Sequence, residues 1–396
     1  MSETIQRMPV SRAADVLLPS TDPVRLLDVD GSRVDGSRVD GTRVEGNPDA
    51  ERDYPLPATE ALVDLYRAMV LGRRLDEQST ALTKQGRLAV YPSARGQEAC
   101  QVAAAQALRP TDWVFPTYRE SMALMARGIE PAQVLTLLQG GWHSGYDPHE
   151  VCAAPQCTPL ATQNVHAVGF AHGESRQGRD TVALAFSGDG ATSEGDFHEA
   201  LNFAAVFKAP VVFLVQNNKY AISVPLARQS AAPSLAHKGI GYGIPSEQVD
   251  GNDPAAMLAV LTHAVAHARA GNGPFLVEAH TYRIEAHTNA DDAGRYRDSA
   301  EVELWKQRDP VARLEAYLRD VGALDDEAVA AVKAHADSRA AQLRAAMNAE
   351  PALDPLELFD HVYASPTPQL LEQRAQLAGE LAADAEAAAS RQEETA

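Results

Sequence analysis

Two short apolar runs, residues 181–187 (TVALAFS) and 210–216 (PVVFLVQ), constrain the fold more than any other feature of the chain. Each has the length and the continuous apolar character of a strand buried on both faces, and a helix-like segment lies between them. The first run ends at Gly188-Asp189-Gly190 and the second at Asn217-Asn218, with 26 residues between the two motifs. Parallel strands joined by a helix finish at the same edge of a sheet, so Asp189 and Asn218 are expected to meet there. Read singly, each motif is an ordinary turn, because Gly, Asp and Asn form turns in any context. Read together at matching strand ends, a carboxylate and an amide oxygen suit a Mg²⁺ ion that also holds phosphate oxygens.

Two other phosphate sites fail on the residues. A dinucleotide fingerprint needs Gly where Ser193 stands, and a P-loop needs Lys where Asp196 follows Gly195. The 35 basic against 54 acidic residues leave a net charge of −19, which argues against nucleic acid or an anionic membrane as partner. No apolar run is long enough to cross a bilayer, and the N-terminal residues lack the apolar core of a secretory signal. Three cysteines, Cys100, Cys152 and Cys157, make no disulfide framework, so the cytoplasm is the expected compartment.

Residues 30–46 repeat a five-residue unit of acid, Gly and Arg with one valine each, too little apolar surface to offset ordering. Residues 1–53 are therefore expected to form a disordered tail, with the folded part beginning near Tyr54. Helical spacing then recurs from Thr59 onward, in GQEACQVAAAQAL, and in the small-residue stretch leading to Thr181. A short strand, a helix and a third apolar strand (PFLVEAHTY) follow and extend a parallel sheet. Beyond Ser299 the pattern is helical. The reading gives an α/β domain over 54–364, a parallel sheet flanked by helices with a helical C-terminal region, and an Ala/Glu-rich tail over 365–396. His143, His149, Cys152 and Cys157 invite a zinc reading, but they lack the usual close Cys pair and share their stretch with loop-forming prolines.

The Gly-Asp-Gly…Asn-Asn pattern resembles the signature of thiamine-diphosphate enzymes. PTYRE, PLATQ, GDGATSEGDFHEALNFAA, NNKYAIS, GYGI, VDGND, FLVEAHTYR and HTNADD…YR together resemble the α subunit of the decarboxylating first component of 2-oxo acid dehydrogenase complexes. The matches span roughly residues 59–360 and imply the thiamine-diphosphate-binding fold. By this resemblance Asp189, Asn218 and the Tyr220 carbonyl bind Mg²⁺, with Gly188, Gly190 and Ala191 beside the cofactor. Tyr118 and Arg119 match a diphosphate-binding pair, where Arg offers a bidentate fork. Thr158 and Leu160 match positions that hold the aminopyrimidine and support the cofactor's bend, although composition alone makes Leu160 a core residue. His287 matches the family's active-site histidine, able to change protonation near neutral pH. Residues 288–297 after it read as a loop that orders around cofactor or partner.

Two departures stand out. The branched-chain members are expected to carry an Arg just before the Asn pair, reaching the diphosphate, where this chain has Gln216, and the 140–157 connection is shorter than usual. The family's cofactor-activating Glu lies on a β subunit, and no motif here supplies it. The resemblance thus implies an α₂β₂ assembly, inactive as α alone, that passes its acyl group to a lipoylated acyltransferase core. It also implies a small 2-oxo acid as substrate, with the motifs closer to branched-chain than to pyruvate or acetoin members. Outside this class, a Mg²⁺-dependent phosphohydrolase could use Asp189 and Asn218. Thr288 occupies the position of a serine phosphorylated in eukaryotic relatives.

Overall fold

The computed structural model describes residues 17–34, 54–140, 144–349 and 354–395. It divides into two units, Met1–Met347 and Asn348–Ala396, so the boundary expected at 364/365 falls inside the second. The first unit opens with α1 (Thr59–Lys84) and α2 (Glu98–Ala107), followed by strand β1 (Trp113–Phe115) and the short helices α3 (Ser121–Ala126), α4 (Pro131–Leu135) and α5 (Pro148–Val151). Helix α6 (Thr162–Arg176), β2 (Ala183–Gly188), α7 (Gly195–Phe207) and β3 (Val211–Asn217) form the expected strand–helix–strand unit and its approach. A small hairpin of β4 (Tyr220–Ala221) and β5 (Val224–Pro225) precedes β6 (Ser246–Asp250), α8 (Pro254–His267) and β7 (Phe275–His280). Helices α9 (Ser299–Lys306), α10 (Pro310–Asp320) and α11 (Asp326–Asn348) complete that part of the chain.

The main sheet is parallel, in the order β1-β2-β3-β7-β6. Every residue of β3 is buried, because helices cover both faces, and the apolar run seen in the sequence is the direct consequence. One core layer packs Leu184, Phe186, Val212 and Leu214 against α8, and the opposite layer packs Ala185, Val211 and Phe213 against α6 and α7. Register places Gly188 opposite Gln216 and Asn217 opposite His280, so three strands finish level at one edge. Sequence reading missed β1, whose three residues are too short for a periodic signal.

The expected tail is corrected over residues 17–34. Val24 bridges Val249 in parallel fashion and extends the sheet beyond β6. Leu26 and Leu27 are buried, and their backbone N–H groups donate to Asp253 Oδ2 at 2.7 and 2.8 Å. The other oxygen of Asp253 caps α8 through Ala255 and Ala256. Buried Arg313 donates to Asp28 O at 2.9 Å, to Leu27 O, and to Asp250 Oδ2 at 2.9 Å. Ion pairs and caps to main-chain groups hold this segment, and hydropathy patterns do not register them. Repeat residues 35–46 lie outside the described residues.

The second unit contains a short 3₁₀ turn, Pro355–Phe359, and α12 (Pro368–Thr395). No helix among the described residues is long and apolar enough to cross a membrane.

Candidate active site

The level ends of β2 and β3 bring Asp189 and Asn218 together, both buried. Asn218 Oδ1 stands 3.2 Å from Asp189 Oδ1 and 3.1 Å from the Tyr220 carbonyl oxygen. With the Asn218 nitrogen donating to Gln97 Oε1 at 3.0 Å, these three oxygens face one another, an arrangement that a cation among them would stabilise. Mg²⁺–oxygen bonds of about 2.0–2.1 Å place adjacent octahedral ligands about 2.9 Å apart, near these spacings. The donor set therefore fits a Mg²⁺ ion that keeps further positions for phosphate and water. Burial pushes the Asp189 carboxyl above its ordinary range, while a hydrogen bond from Gln229 Nε2 (2.7 Å) and the charges of Lys219 and Arg283 pull it back. A bound cation would relieve the remaining cost of the buried charge.

Two backbone features make room for this arrangement. A Cβ on Gly190 would lie 2.6 Å from Ala221 Cβ, so only Gly lets β4 approach the end of β2. Lys219 and Ile222 take left-handed φ values of 76° and 54°, which turn the Tyr220 carbonyl toward Asp189. Lys219 is held there by a 2.9 Å contact between its Nζ and His280 Nδ1.

Arg119 is buried and donates from Nη1 to Ser93 O at 2.8 Å. Its Nη2 reaches His287 O and His287 Nδ1, each at 3.1 Å, and its guanidinium lies 5.6 Å from the Tyr118 ring centre. The Tyr118 and His287 rings meet edge to face at 5.9 Å. Arg283 Nη1 lies 3.4 Å from the same Nδ1 and donates to Tyr220 O at 3.3 Å. With two guanidinium groups aimed at Nδ1, that nitrogen accepts and the ring proton belongs on Nε2. Burial, then Arg119 and Arg283, hold the His287 pKa down to about 4. The expectation of a protonation switch near neutral pH is thus corrected for this state of the site: His287 is a neutral donor.

The remaining expected positions divide. Ala191 is buried and Gly188 half-buried beside Asp189. Thr158 and Leu160 are exposed, and Leu160, a core residue by composition, is 42% exposed. Residues 288–297 are tied down within the chain itself. Asp291 Oδ2 accepts from His287 N (2.8 Å) and from the Tyr296 hydroxyl, and Arg283 donates to that hydroxyl at 2.9 Å. Gln97, Glu120, Gln229 and Arg283 border the site without having been singled out in the sequence. Each is polar and buried or half-buried, a property that one sequence does not display.

The residues that invited a zinc reading include His143, which lies outside the described residues. Among the described residues no three His, Cys, Asp or Glu side chains form a metal-holding group. The stretch instead lays Ala153 and Cys157 beside Val114 and Thr117, and His149 meets the Trp113 ring edge to face.

The chain matches the dehydrogenase E1 component family over residues 66–355. It is 51% identical over 376 residues to the 3-methyl-2-oxobutanoate dehydrogenase subunit alpha of Mycobacterium tuberculosis, covering 94% of this chain and 98% of that one. The pyruvate dehydrogenase E1 component subunit alpha of Bacillus subtilis is 38% identical over 79% of this chain and 85% of its own. That of Acholeplasma laidlawii is 37% identical, covering 82% and 94%.

Proposed function

The chain belongs to the dehydrogenase E1 component family, and from that premise we propose that it is the α half of an oxidative decarboxylase for branched-chain 2-oxo acids. The convergence of Asp189 Oδ1, Asn218 Oδ1 and the Tyr220 carbonyl beside Arg119 and His287 carries this reading. In this family thiamine diphosphate supplies the nucleophilic carbon and the electron sink for decarboxylation. Asp189, Asn218 and the Tyr220 carbonyl would hold Mg²⁺ against its diphosphate. Arg119 and Tyr118 would bind the diphosphate, with Gly188, Gly190 and Ala191 close to it and Thr158 and Leu160 toward the aminopyrimidine. His287, neutral with its proton on Nε2, would donate a hydrogen bond to an anionic oxygen of cofactor or substrate. Arg119 keeps it in that tautomer.

Activation of the cofactor also needs a carboxylate, and four of the described carboxylates around this site are engaged. Glu120 accepts from Thr117 and Gln216, Glu278 from Asn217 and Ala236, Asp291 from His287 and Tyr296, and Glu301 from Tyr220 and Tyr282. This supports a β subunit as its source and an α₂β₂ enzyme, with a lipoylated acyltransferase receiving the acyl group. On α7, Phe203, Val206 and Phe207 remain 46%, 67% and 47% exposed, an apolar face suited to such a partner.

The test is reconstitution. The α/β pair should bind thiamine diphosphate only with Mg²⁺, seen as a thermal shift, and should decarboxylate 3-methyl-2-oxobutanoate faster than pyruvate. Full activity of α alone, or a wide preference for pyruvate, would overturn the corresponding part. A phosphohydrolase would show no thermal shift with thiamine diphosphate.

A further inference from the structure

Asn218 presents its oxygen to two other oxygens, although the amide turned end for end would donate to both of them. The local contacts alone therefore favour the wrong end for a cation, and something else sets the orientation. Asn218 Nδ2 donates to Gln97 Oε1 at 3.0 Å, and Gln97 Nε2 donates to Gln216 Oε1 at 3.0 Å. Gln216 Nε2 donates in turn to Glu120 Oε1 at 2.7 Å. All four side chains are buried, between 1% and 6% exposed, so water does not complete or replace the bonds. Each amide has one donor end and one acceptor end, so turning one requires turning all of them.

The two ends of this row differ in freedom. Glu120 Oε2 accepts from Thr117 N (2.6 Å) and from the Thr117 hydroxyl; burial raises this carboxyl, while the bonds from Thr117 and Gln216 and the charge of Arg119 favour its ionised form, which has no proton to offer Gln216. Its other oxygen therefore takes the Gln216 amide as donor and fixes the direction of the whole row. Gln97 is held in place by its loop, where a Cβ on Gly96 would lie 2.2 Å from Tyr282 O and where Ile284 N donates to Arg95 O at 3.1 Å.

We propose that Glu120, Gln216 and Gln97 form a positioning relay whose single direction, set at Glu120, turns the oxygen of Asn218 toward the cation. This rests on the Mg²⁺ site proposed above. It also accounts for Gln216, which lies within the relay and bridges Glu120 to Gln97.

The relay makes a directional prediction that a packing role does not. In Glu120→Gln the Thr117 N–H still demands an oxygen, so the new amide nitrogen faces Gln216. The row then reverses with every bond kept, and Asn218 turns its nitrogen toward Asp189 and Tyr220. In Gln97→Glu the new carboxylate accepts from Asn218 but forces Gln216 to point an oxygen at one of two carboxylates. In the double variant all bonds are satisfied again. The new amide at position 120 donates to the Gln216 oxygen, and the Gln216 nitrogen donates to the new carboxylate at position 97. That carboxylate also accepts from Asn218 Nδ2, which leaves the Asn218 oxygen facing the cation.

The experiment is Mn²⁺ titration followed by EPR on the full-length chain in complex with its β partner and thiamine diphosphate, with melting temperature as the second readout. Glu120→Gln should weaken Mn²⁺ about 10–100-fold, the range typical of lost outer-shell support, with its melting temperature in the absence of metal little changed. Adding Gln97→Glu should restore Mn²⁺ binding to within about threefold, whereas independent packing effects would add. Asp189→Ala tests the site itself. If it leaves Mn²⁺ binding intact, the Mg²⁺ site is wrong. If it abolishes binding while Glu120→Gln leaves it unchanged, or if the double variant is weaker than Glu120→Gln, the relay is wrong.

Discussion

Gly190→Ala tests whether the close approach of β4 to the end of β2 builds the proposed metal site. The added Cβ would stand 2.6 Å from Ala221 Cβ and 3.4 Å from Ala221 Cα. Carbon atoms rest at about 3.5–4.0 Å, so the two segments must separate by roughly 1 Å. Gly190 does not occupy the left-handed region, so the cost is overpacking alone, about 1–3 kcal/mol. Little slack exists to absorb it, because Lys219 and Ile222 flank the hairpin strand in left-handed conformations already. The displacement therefore falls on residues 220–221 and carries the Tyr220 carbonyl away from Asp189. A ligand that must sit about 2.1 Å from Mg²⁺ is lost by a shift of that size. The expected result is a fall of about 10–100-fold in Mg²⁺ affinity, read by calorimetry on the α/β complex with thiamine diphosphate. Gly195→Ala is the control, since its Cβ meets nothing within 4 Å, and it should be neutral or stabilise by about 0.4–1 kcal/mol. Wild-type metal affinity in Gly190→Ala would refute the reasoning, because the close approach would then be incidental.

Leu27→Ala should cost about 2–5 kcal/mol in urea unfolding, because Leu27 is fully buried within a segment that composition marks as a tail; an unchanged midpoint would show that the segment adds nothing to stability. Burial, then Lys219, holds His280 at about 4, and His287 is also near 4, so between pH 6.5 and 4 the unfolded chain binds protons that the fold refuses. Their contribution to stability is therefore lost as pH falls through that window. Asp76, pushed up to about 6 by burial, acts in the opposite sense between 3.8 and 6. His280→Gln should flatten the fall in melting temperature between pH 7.5 and 5, and identical slopes would refute the assignment. Phe203→Asp combined with Val206→Asp should leave the melting temperature of the α chain nearly unchanged while weakening assembly with the β chain in analytical ultracentrifugation; full assembly would place the interface elsewhere.

The sheet was legible because β2 and β3 are buried on both faces and therefore written as unbroken apolar runs. The convergence of Asp189 and Asn218 followed from topology alone. Strand β1 and the segment at residues 17–34 were not legible. The first is only three residues long, and the second is held by Asp253 and Arg313, partners more than 220 residues away. The same limit applies at the site. His287 was found by resemblance, but its proton position depends on Arg119 and Arg283, which are distant from each other in the sequence. Leu160 looked like core because composition reports side-chain polarity, whereas it is exposed in the structure, next to left-handed Ala161.

Gln216 shows how a departure from a family pattern is constrained by a residue elsewhere. An Arg at this position would have donors only, and no acceptor to receive the Gln97 amide. It would satisfy Glu120, but Gln97 would have to turn its oxygen toward the guanidinium and its nitrogen toward Asn218. Asn218 would then face Asp189 and Tyr220 with its own nitrogen, the wrong end for a cation. A Glu at position 97 removes the conflict, because a carboxylate accepts both from the guanidinium and from Asn218 Nδ2, and the added pair of opposite charges is mutually compensating. Gln at 97 therefore belongs with Gln at 216, and Glu at 97 with Arg at 216. Gln216→Arg alone should weaken Mn²⁺ binding by at least about tenfold, and Gln97→Glu in the same chain should recover most of that loss. Equal Mn²⁺ binding in the single and double variants would mean that residue 216 acts on the site by some route other than the orientation of Asn218.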